Sequence, residues 1–174
     1  NLFGLVKFYK AARGKGVKPV LGCDIHLANE ADVDRPYRLL LLCRSHQGYL
    51  QLCELLTRAY LAPRQRGRAE VTRQMLTDVG VDGLIALSGA GAGDVGEALA
   101  QGNAELAASR ARYWAELFPD AFYLEVQRVQ PRGFRLRRRG ALHLLPRFAG
   151  HRRAGGQRRG DRGVVLAHCR DICG

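Results

Sequence analysis

Short apolar runs alternate with amphipathic segments over the first 127 residues of the chain, and this alternation restricts the folds available to it. Four runs have the length and composition of β-strands, and they cover residues 17–27, 37–43, 84–87 and 122–126. Five segments with helical spacing lie around them, at residues 2–14, 45–62, 71–78, 94–102 and 103–117. The pattern predicts an α/β domain with mostly parallel strands, in an open sheet or a barrel.

The first predicted helix carries an apolar face made of Leu2, Leu5, Val6, Tyr9 and Ala12. Apolar residues at this spacing predict a helix that packs against a core. Because the helix begins with the first residue, we expect the chain to begin inside a domain whose first part precedes it.

Polar residues at three helix starts predict capping interactions. Ser45 and Asn103 stand where helix N-caps are expected, since a short polar side chain there accepts a hydrogen bond from the backbone. Asp94 followed by Glu97 has the pattern of a capping box.

The formal net charge of +12 is concentrated in the tail of the chain. Residues 128–174 hold 13 of the 28 basic residues, all arginine, and 2 of the 16 acidic ones, so the remainder is nearly neutral. This irregular tail has three interpretations: a basic arm that neutralises nucleic-acid phosphates, a solvated or disordered segment, or G+C-rich gene sequence translated out of frame. Arg64, Arg66 and Arg68 form a smaller basic loop, compatible with DNA contact or with solvation.

The sequence also predicts the compartment. No stretch approaches the roughly 18 apolar residues of a membrane span, and the start lacks the basic flank of a signal peptide. Five cysteines, an odd number without C-x-x-C spacing, favour reduced thiols over a disulfide framework. We therefore expect a cytoplasmic protein with no membrane partner.

Residues 91–96 read Gly-Ala-Gly-Asp-Val-Gly and match the G-x-G-x-x-G pattern of dinucleotide-binding loops. However, Asp94 would place a carboxylate where a phosphate binds, and the helix that follows is short. A tight glycine turn is therefore the favoured interpretation.

Two partial sets of metal ligands are present. Asp24 and His26 are two residues apart on a predicted strand, so their side chains point to one face, as paired ligands do. His168, Cys169 and Cys173 form a second partial set in the tail. Neither set completes a metal site by itself.

Several ordered blocks resemble the polymerase-and-histidinol-phosphatase (PHP) domain of bacterial DNA polymerase III alpha subunits. They are residues 1–4 (NLFG), 8–12 (FYKAA), 17–24 (VKPVLGCD), 48–53 (GYLQLC), 58–61 (RAYL), 83–89 (GLIALSG) and 122–128 (FYLEVQR). The resemblance implies an incomplete PHP-type seven-stranded β/α barrel over residues 1–127, lacking its first strand or strands, followed by the Arg-rich tail 128–174.

The resemblance also implies which positions correspond to metal ligands. In metal-binding members, ligands come from His-x-His and Thr-Asp-His sequences before Asn1, from an acid at Asp24, from a His at the position of Arg38, from a Cys at the position of Ala90 and from a late Asp-x-His. Only Asp24 keeps a ligand type here, because a guanidinium repels metal ions and alanine has no donor atom. The resemblance therefore implies a degenerate site with no functional metal and no catalytic residue. Glu125, on a predicted strand, is either a buried partner of a basic group or part of a vanished site.

By the same resemblance, the parent protein is a DNA-directed DNA polymerase that acts in replication and uses Mg²⁺ in a palm domain beyond this chain. The present part is expected to bind no cofactor and to have no activity. Its expected partners are the proofreading exonuclease and other subunits of the polymerase III holoenzyme, with DNA bound through the parent protein.

Two alternative functions stay open. A free-standing PHP metallo-phosphoesterase would need histidines near positions 38 and 129, where the sequence has Arg38 and Val129. A small nucleic-acid-binding module would bind through the tail, and its salt-sensitive affinity would be lost on removal of residues 128–174. The resemblance stops near Arg128, where the charge balance also changes, which favours a shifted reading frame for the tail.

Overall fold

The computed structural model describes residues 4–63 and 67–127, together with the backbone of a strand at 164–168. Five helices lie in this part: α1 (Leu5–Gly14), α2 (His46–Leu61), α3 (Arg73–Val79), α4 (Asp94–Ala100) and α5 (Ala104–Leu117). The strands are β1 (Gly22–Leu27), β2 (Tyr37–Cys43), β3 (Leu84–Leu87), β4 (Phe122–Gln127) and β5 (Val164–His168). The prediction of an α/β domain is confirmed, although the first strand is shorter than the predicted run 17–27.

The five strands form one mixed sheet in the order β1-β2-β3-β4-β5. β1 and β2 pair antiparallel, as do β2 with β3 and β4 with β5, whereas β3 and β4 pair parallel. The prediction of mostly parallel strands was therefore wrong. The seven-stranded barrel stays a prediction, since the described residues supply five strands in linear order.

The connections explain the strand directions. The segment between β1 and β2 contains no helix, and a short connection joins antiparallel neighbours. Helices α2 and α3 connect β2 to β3. Cys43 at the end of β2 pairs with Leu84 at the start of β3, so the chain re-enters the sheet at the same edge and the two strands are antiparallel. In the described residues, α4 and α5 form the one crossover between parallel strands of the sheet, from β3 to β4. The alternation of strands and helices along the sequence does not specify which connections cross over.

The core lies between one face of the sheet and helices α2, α3, α4 and α5. β1 alternates buried Cys23, Ile25 and Leu27 with exposed residues, and this is the period-two pattern of a strand with one covered face. Other fully buried side chains come from three of the covering helices and from the sheet: Leu39, Leu41, Leu52, Leu55, Leu76, Leu84, Trp114, Phe118 and Phe122. In the described residues no helix is long and apolar enough to cross a membrane.

The α1 helix is confirmed, but its expected packing against a core is not found. It contains no buried residue, and Val6 is 63% exposed. In the described residues, no other element covers the apolar face of α1 completely. This face is therefore partly open to solvent.

Helical spacing predicts two buried faces, and both predictions are correct in part. The predicted residues are Tyr49, Leu52, Cys53, Leu56, Ala59 and Tyr60 on α2, and Leu106, Arg110, Tyr113, Trp114 and Leu117 on α5. On α2, Leu52 and Ala59 are buried as expected, but Leu55 replaces Tyr60, which is 45% exposed. On α5, Trp114 is buried as expected, whereas the small residues Ala107 and Ala111 take the place predicted for larger ones. The buried face of each helix is therefore offset from the predicted one.

Two of the three predicted helix caps are confirmed. The Ser45 hydroxyl accepts a hydrogen bond from the Gly48 amide at 3.1 Å, and the Asn103 side chain accepts one from the Leu106 amide at 3.0 Å. The capping box at Asp94 and Glu97 was wrong: Gly93 is the N-cap of α4, and Asp94 is the first residue of the helix.

The Asp94 carboxylate instead accepts hydrogen bonds from three parts of the fold. Arg73 of α3 donates to Oδ2 at 2.8 Å, Trp114 of α5 donates from Nε1 to both oxygens at 3.0 Å, and the Val95 amide donates to Oδ1 at 2.8 Å. Arg110 of α5 also donates to the Asp94 carbonyl at 2.6 Å. With its side chain only 3% exposed, Asp94 joins α3, α4 and α5.

We expect Asp94→Ala to lower the free energy of unfolding by about 3–5 kcal/mol, because the buried Trp114 Nε1–H and the Arg73 guanidinium lose their acceptor. Urea denaturation followed by Trp114 fluorescence measures this change. The control is Asp78→Ala, which removes an exposed carboxylate that accepts a hydrogen bond from the Gln74 side chain. This substitution should change the free energy of unfolding by less than about 0.5 kcal/mol. Equal effects of the two substitutions would contradict the role of Asp94.

Candidate functional site

A pocket of about 340 Å³ is lined by residues of β1, β2 and β4 and by the turn that follows β3. It is lined by charged residues and by a glycine-rich turn: Asp24, Arg38, Leu40, Gly89, Gly91, Ala92 and Glu125. The resemblance pointed to Asp24, Arg38 and Ala90. The structure brings Asp24 and Arg38 together in this pocket, and the turn that contains Ala90 forms one of its walls.

The strands β1 and β2 place Asp24 and Arg38 on the same exposed face. Asp24 lies opposite Leu40, and His26 lies opposite Arg38, so the two charged residues are diagonal neighbours across the antiparallel pair. The Arg38 guanidinium forms an ion pair with the Asp24 carboxylate, with Nε donating to Oδ1 at 3.2 Å. Both side chains are about half exposed, at 53% and 43%, so a pair of this kind adds roughly 0.2–1 kcal/mol to stability.

The glycine-rich turn approaches β2 closely, and its backbone requires unusual conformations. Gly89 has φ +70°, and a Cβ there would overlap the carbonyl oxygen of Arg38. Ala90 has φ +50°, which costs an ordinary L-residue about 1–2 kcal/mol. The turn therefore holds Ala90 in a constrained backbone beside the pocket.

The G-x-G-x-x-G sequence forms this tight turn, as the favoured interpretation predicted. Residues 90–92 make one turn of 3₁₀-helix, and Cβ atoms at Gly93 and Gly96 would overlap the carbonyl oxygens of Ser88 and Ala90. The glycines thus allow close backbone packing. The carboxylate of Asp94 is buried within the protein and does not face an open phosphate site.

Glu125 joins the pocket from β4. Its amide donates a hydrogen bond to the Ser88 hydroxyl at 3.0 Å, which ties β4 to the end of β3. The sequence left two interpretations for Glu125, and the structure places it with Asp24 and Arg38. The local sequence gave no signal of this position, because Glu125 and Asp24 line one pocket although they are about one hundred positions apart.

The residues of the pocket do not fit a metal centre. The Arg38 guanidinium already pairs with Asp24, and Ala90 contributes no donor atom. In the part of the chain that the structure describes, no three His, Cys, Asp or Glu side chains gather in a way that would hold a metal ion. His26 shares the exposed face with Asp24 but does not line the pocket.

Other candidate residues have different surroundings. The Arg68 guanidinium donates to the carbonyls of Val33 at 3.1 Å and Asp34 at 3.3 Å and pairs with Glu70, so it holds two loops together. Residues 64 and 66, the zinc candidates at 169 and 173 and most of the tail lie outside the described residues. The question of a DNA-binding loop or tail therefore stays a prediction.

Comparison with known proteins identifies the family of the chain. A model of the PHP domain matches residues 1–129. The chain is 47% identical over 133 residues to a DNA polymerase III subunit alpha of Neisseria meningitidis serogroup A, which covers 76% of this chain and 12% of that protein. It is 41% identical to the subunit of Pseudomonas aeruginosa and 37% identical to that of Escherichia coli K12, over 129 residues in each case, 74% of this chain and 11% of those proteins. The chain thus spans about one eighth of the length of these relatives, and it belongs to the PHP domain family.

Proposed function

We propose that this chain is the PHP part of a bacterial DNA polymerase III alpha subunit that replicates DNA in the cytoplasm. The observation that carries the proposal is the identity of 37–47% to proteins of that name over about three quarters of the chain. The parent protein would be a DNA-directed DNA polymerase. Its two-metal nucleotidyl transfer requires carboxylates that bind Mg²⁺, and we place these in a different domain of the parent.

Within the parent protein, we assign a structural role to the Asp24–Arg38 pocket. A guanidinium beside Asp24 supplies the positive charge that neutralises this carboxylate, so the pocket is stable without a bound cation. The ion pair joins neighbouring strands, and the close contact between Gly89 and Arg38 joins β2 to the turn. The pocket thus holds the sheet and the turn together and has no metal-dependent chemistry of its own.

We further propose that this part acts as a scaffold for the polymerase and docks the proofreading exonuclease, alongside other subunits of the holoenzyme. The proposal rests on the resemblance to replicative members with degenerate sites. The core cluster contains none of the residues that line the pocket, so the fold does not require a metal there.

The free-standing phosphoesterase is less well supported. Its mechanism needs a metal-activated water, and Arg38 and Ala90 stand where ligands would be needed. The nucleic-acid-binding module depends on the tail, most of which lies outside the described residues, and it is tested by DNA binding before and after removal of residues 128–174.

The role assigned to the pocket predicts that the chain does not bind Mn²⁺ in a saturable manner, because Arg38 repels the ion from Asp24. Isothermal titration calorimetry with Mn²⁺ measures this binding. Mn²⁺ is used in place of Zn²⁺ because the cysteine thiols of the chain bind Mn²⁺ only weakly. We expect the variant R38H, which replaces the guanidinium beside Asp24 with an imidazole donor, to bind Mn²⁺ more tightly than the unaltered chain. The matched control is D24N in each background. Stoichiometric Mn²⁺ binding by the unaltered chain, lost in D24N, would show that the pocket is a metal site.

The polymerase assignment predicts that the parent protein extends a primed DNA template with deoxynucleotides and Mg²⁺, whereas the 174-residue chain does not. Primer extension followed on denaturing gels measures both activities. Hydrolysis of p-nitrophenyl phosphate by the same samples tests the phosphoesterase alternative. Phosphatase activity in the 174-residue chain that disappears in D24N would overturn the assignment.

The docking proposal predicts a complex between this chain and the proofreading exonuclease subunit of the same organism. Size-exclusion chromatography with light scattering measures the mass of the mixture, and an unrelated nuclease of similar size is the control. A mixture that elutes as two separate proteins, while the full parent protein binds the same exonuclease, would place the docking surface outside this chain.

A further inference from the structure

Positive charge is concentrated on one part of the described fold, on α1 and the segment that follows it. All four lysines of the chain fall between residues 7 and 18, and residues 4–21 contain no acidic side chain. The rest of residues 1–127 holds 10 basic and 14 acidic residues, so it carries a net negative charge. A domain whose charge is divided in this way has the electrostatic footprint of a polyanion-binding protein.

The structure gathers these cations into one exposed surface. Lys10, Lys18 and Arg44 line a depression of about 490 Å³ between α1, the segment 18–21 and the start of α2. Along α1, Lys7, Lys10 and Arg13 follow one another at intervals of three residues, which places successive Cβ atoms about 5–6 Å apart. We call this the basic α1 surface, and it consists of six exposed residues: Lys7, Lys10, Arg13, Lys15, Lys18 and Arg44.

Within the described residues, none of these six cations forms an ion pair with a carboxylate. Arg38, Arg58, Arg68 and Arg73 differ, because each of them pairs with an aspartate or a glutamate. Like charges on neighbouring turns repel, and Lys7 stands in the first turn of α1, where the helix dipole disfavours a cation. Charges that lower the stability of their own helix are typical of a binding surface.

The apolar face of α1 is not part of the basic α1 surface. Leu5 and Tyr9 lie on that face, which is expected to pack against the preceding part of the domain. Lys7 and Lys10 lie on the other side of the helix, and Lys18 lies beyond its end. Packing of the apolar face therefore leaves these lysines in solvent.

We propose that the basic α1 surface binds the phosphate backbone of the DNA on which the parent polymerase acts. The identity of the polyanion rests on the proposed function. Duplex DNA carries one negative charge per about 1.7 Å of its axis, and α1 spreads Lys7, Lys10 and Arg13 over about 9 Å. An extended row of cations suits an extended polyanion better than a single small anion. Because the contacts are to phosphates, this binding does not depend on base sequence.

The salt dependence of DNA affinity tests the proposal, with the full 174-residue chain and a fluorescein-labelled primer annealed to a longer template. Each cation–phosphate contact contributes about 0.9 to the slope of log affinity against log salt concentration. We expect K10Q/K18Q to reduce the magnitude of this slope by about 2 and to weaken binding at low salt about tenfold.

The matched control for this experiment is R35Q/R112Q. It removes the same charge at exposed positions outside the basic α1 surface, and it should leave the slope nearly unchanged. The Arg-rich tail is identical in both variants, so its contribution cancels in the comparison. Equal changes of slope in the two variants, or an unchanged slope in K10Q/K18Q, would overturn the proposal. Tighter binding of poly-L-glutamate than of the DNA, lost in K10Q/K18Q, would overturn it in favour of an acidic protein.

The parent protein separates this proposal from the polymerase assignment. Primer extension by the unaltered parent tests the assignment, whereas the basic α1 surface predicts a higher KM for the primed template in K10Q/K18Q than in R35Q/R112Q. A parent that extends primers with the same KM in both variants would overturn the DNA contact and leave the assignment intact. An inactive unaltered parent would overturn the assignment, and the salt slope of the 174-residue chain would still decide the DNA contact.

Discussion

The buried carboxylate of Asp94 is the interaction on which the geometry of the candidate site depends. A buried charge is stable only when it is paired and hydrogen-bonded, and the Asp94 carboxylate accepts hydrogen bonds from α3, from α5 and from the Val95 amide. These bonds fix the start of α4, and the glycine-rich turn that leads into α4 forms the wall of the pocket. The pocket is therefore shaped by a residue that does not line it.

The cations around Asp94 also pack against aromatic rings. The Arg73 guanidinium lies 5.6 Å from the centroid of Trp114, and that of Arg110 lies 5.2 Å from the centroid of Tyr37 on β2. Arg110 also donates to the Tyr37 hydroxyl at 3.2 Å, so the same group connects α5, α4 and the sheet. Because β2 also carries Arg38, this network fixes the pocket from two sides.

Local signals in the sequence predicted much of the fold, whereas long-range contacts were not predictable. Apolar spacing located β2, β3 and β4 almost to the residue, and Ser45 and Asn103 marked two helix starts, because these features depend on neighbours along the chain. Strand direction depends on the end of the sheet to which a connection returns, and neighbouring residues do not specify that end. Asp94 resembled a helix cap in the local sequence, because its actual partners Arg73 and Trp114 are about twenty residues away. The meeting of Asp24, Arg38 and Glu125 likewise required the sheet, although resemblance had marked the first two.

At the Asp24–Arg38 pocket, the Arg38 cation faces a carboxylate of its own chain, so the charge is neutralised internally and attracts little from outside. Both side chains are about half exposed, so solvent screens the ion pair and the pair adds little to stability. The buried Asp94 carboxylate and the close packing of the glycine-rich turn therefore fix the pocket more strongly than the ion pair that lines it.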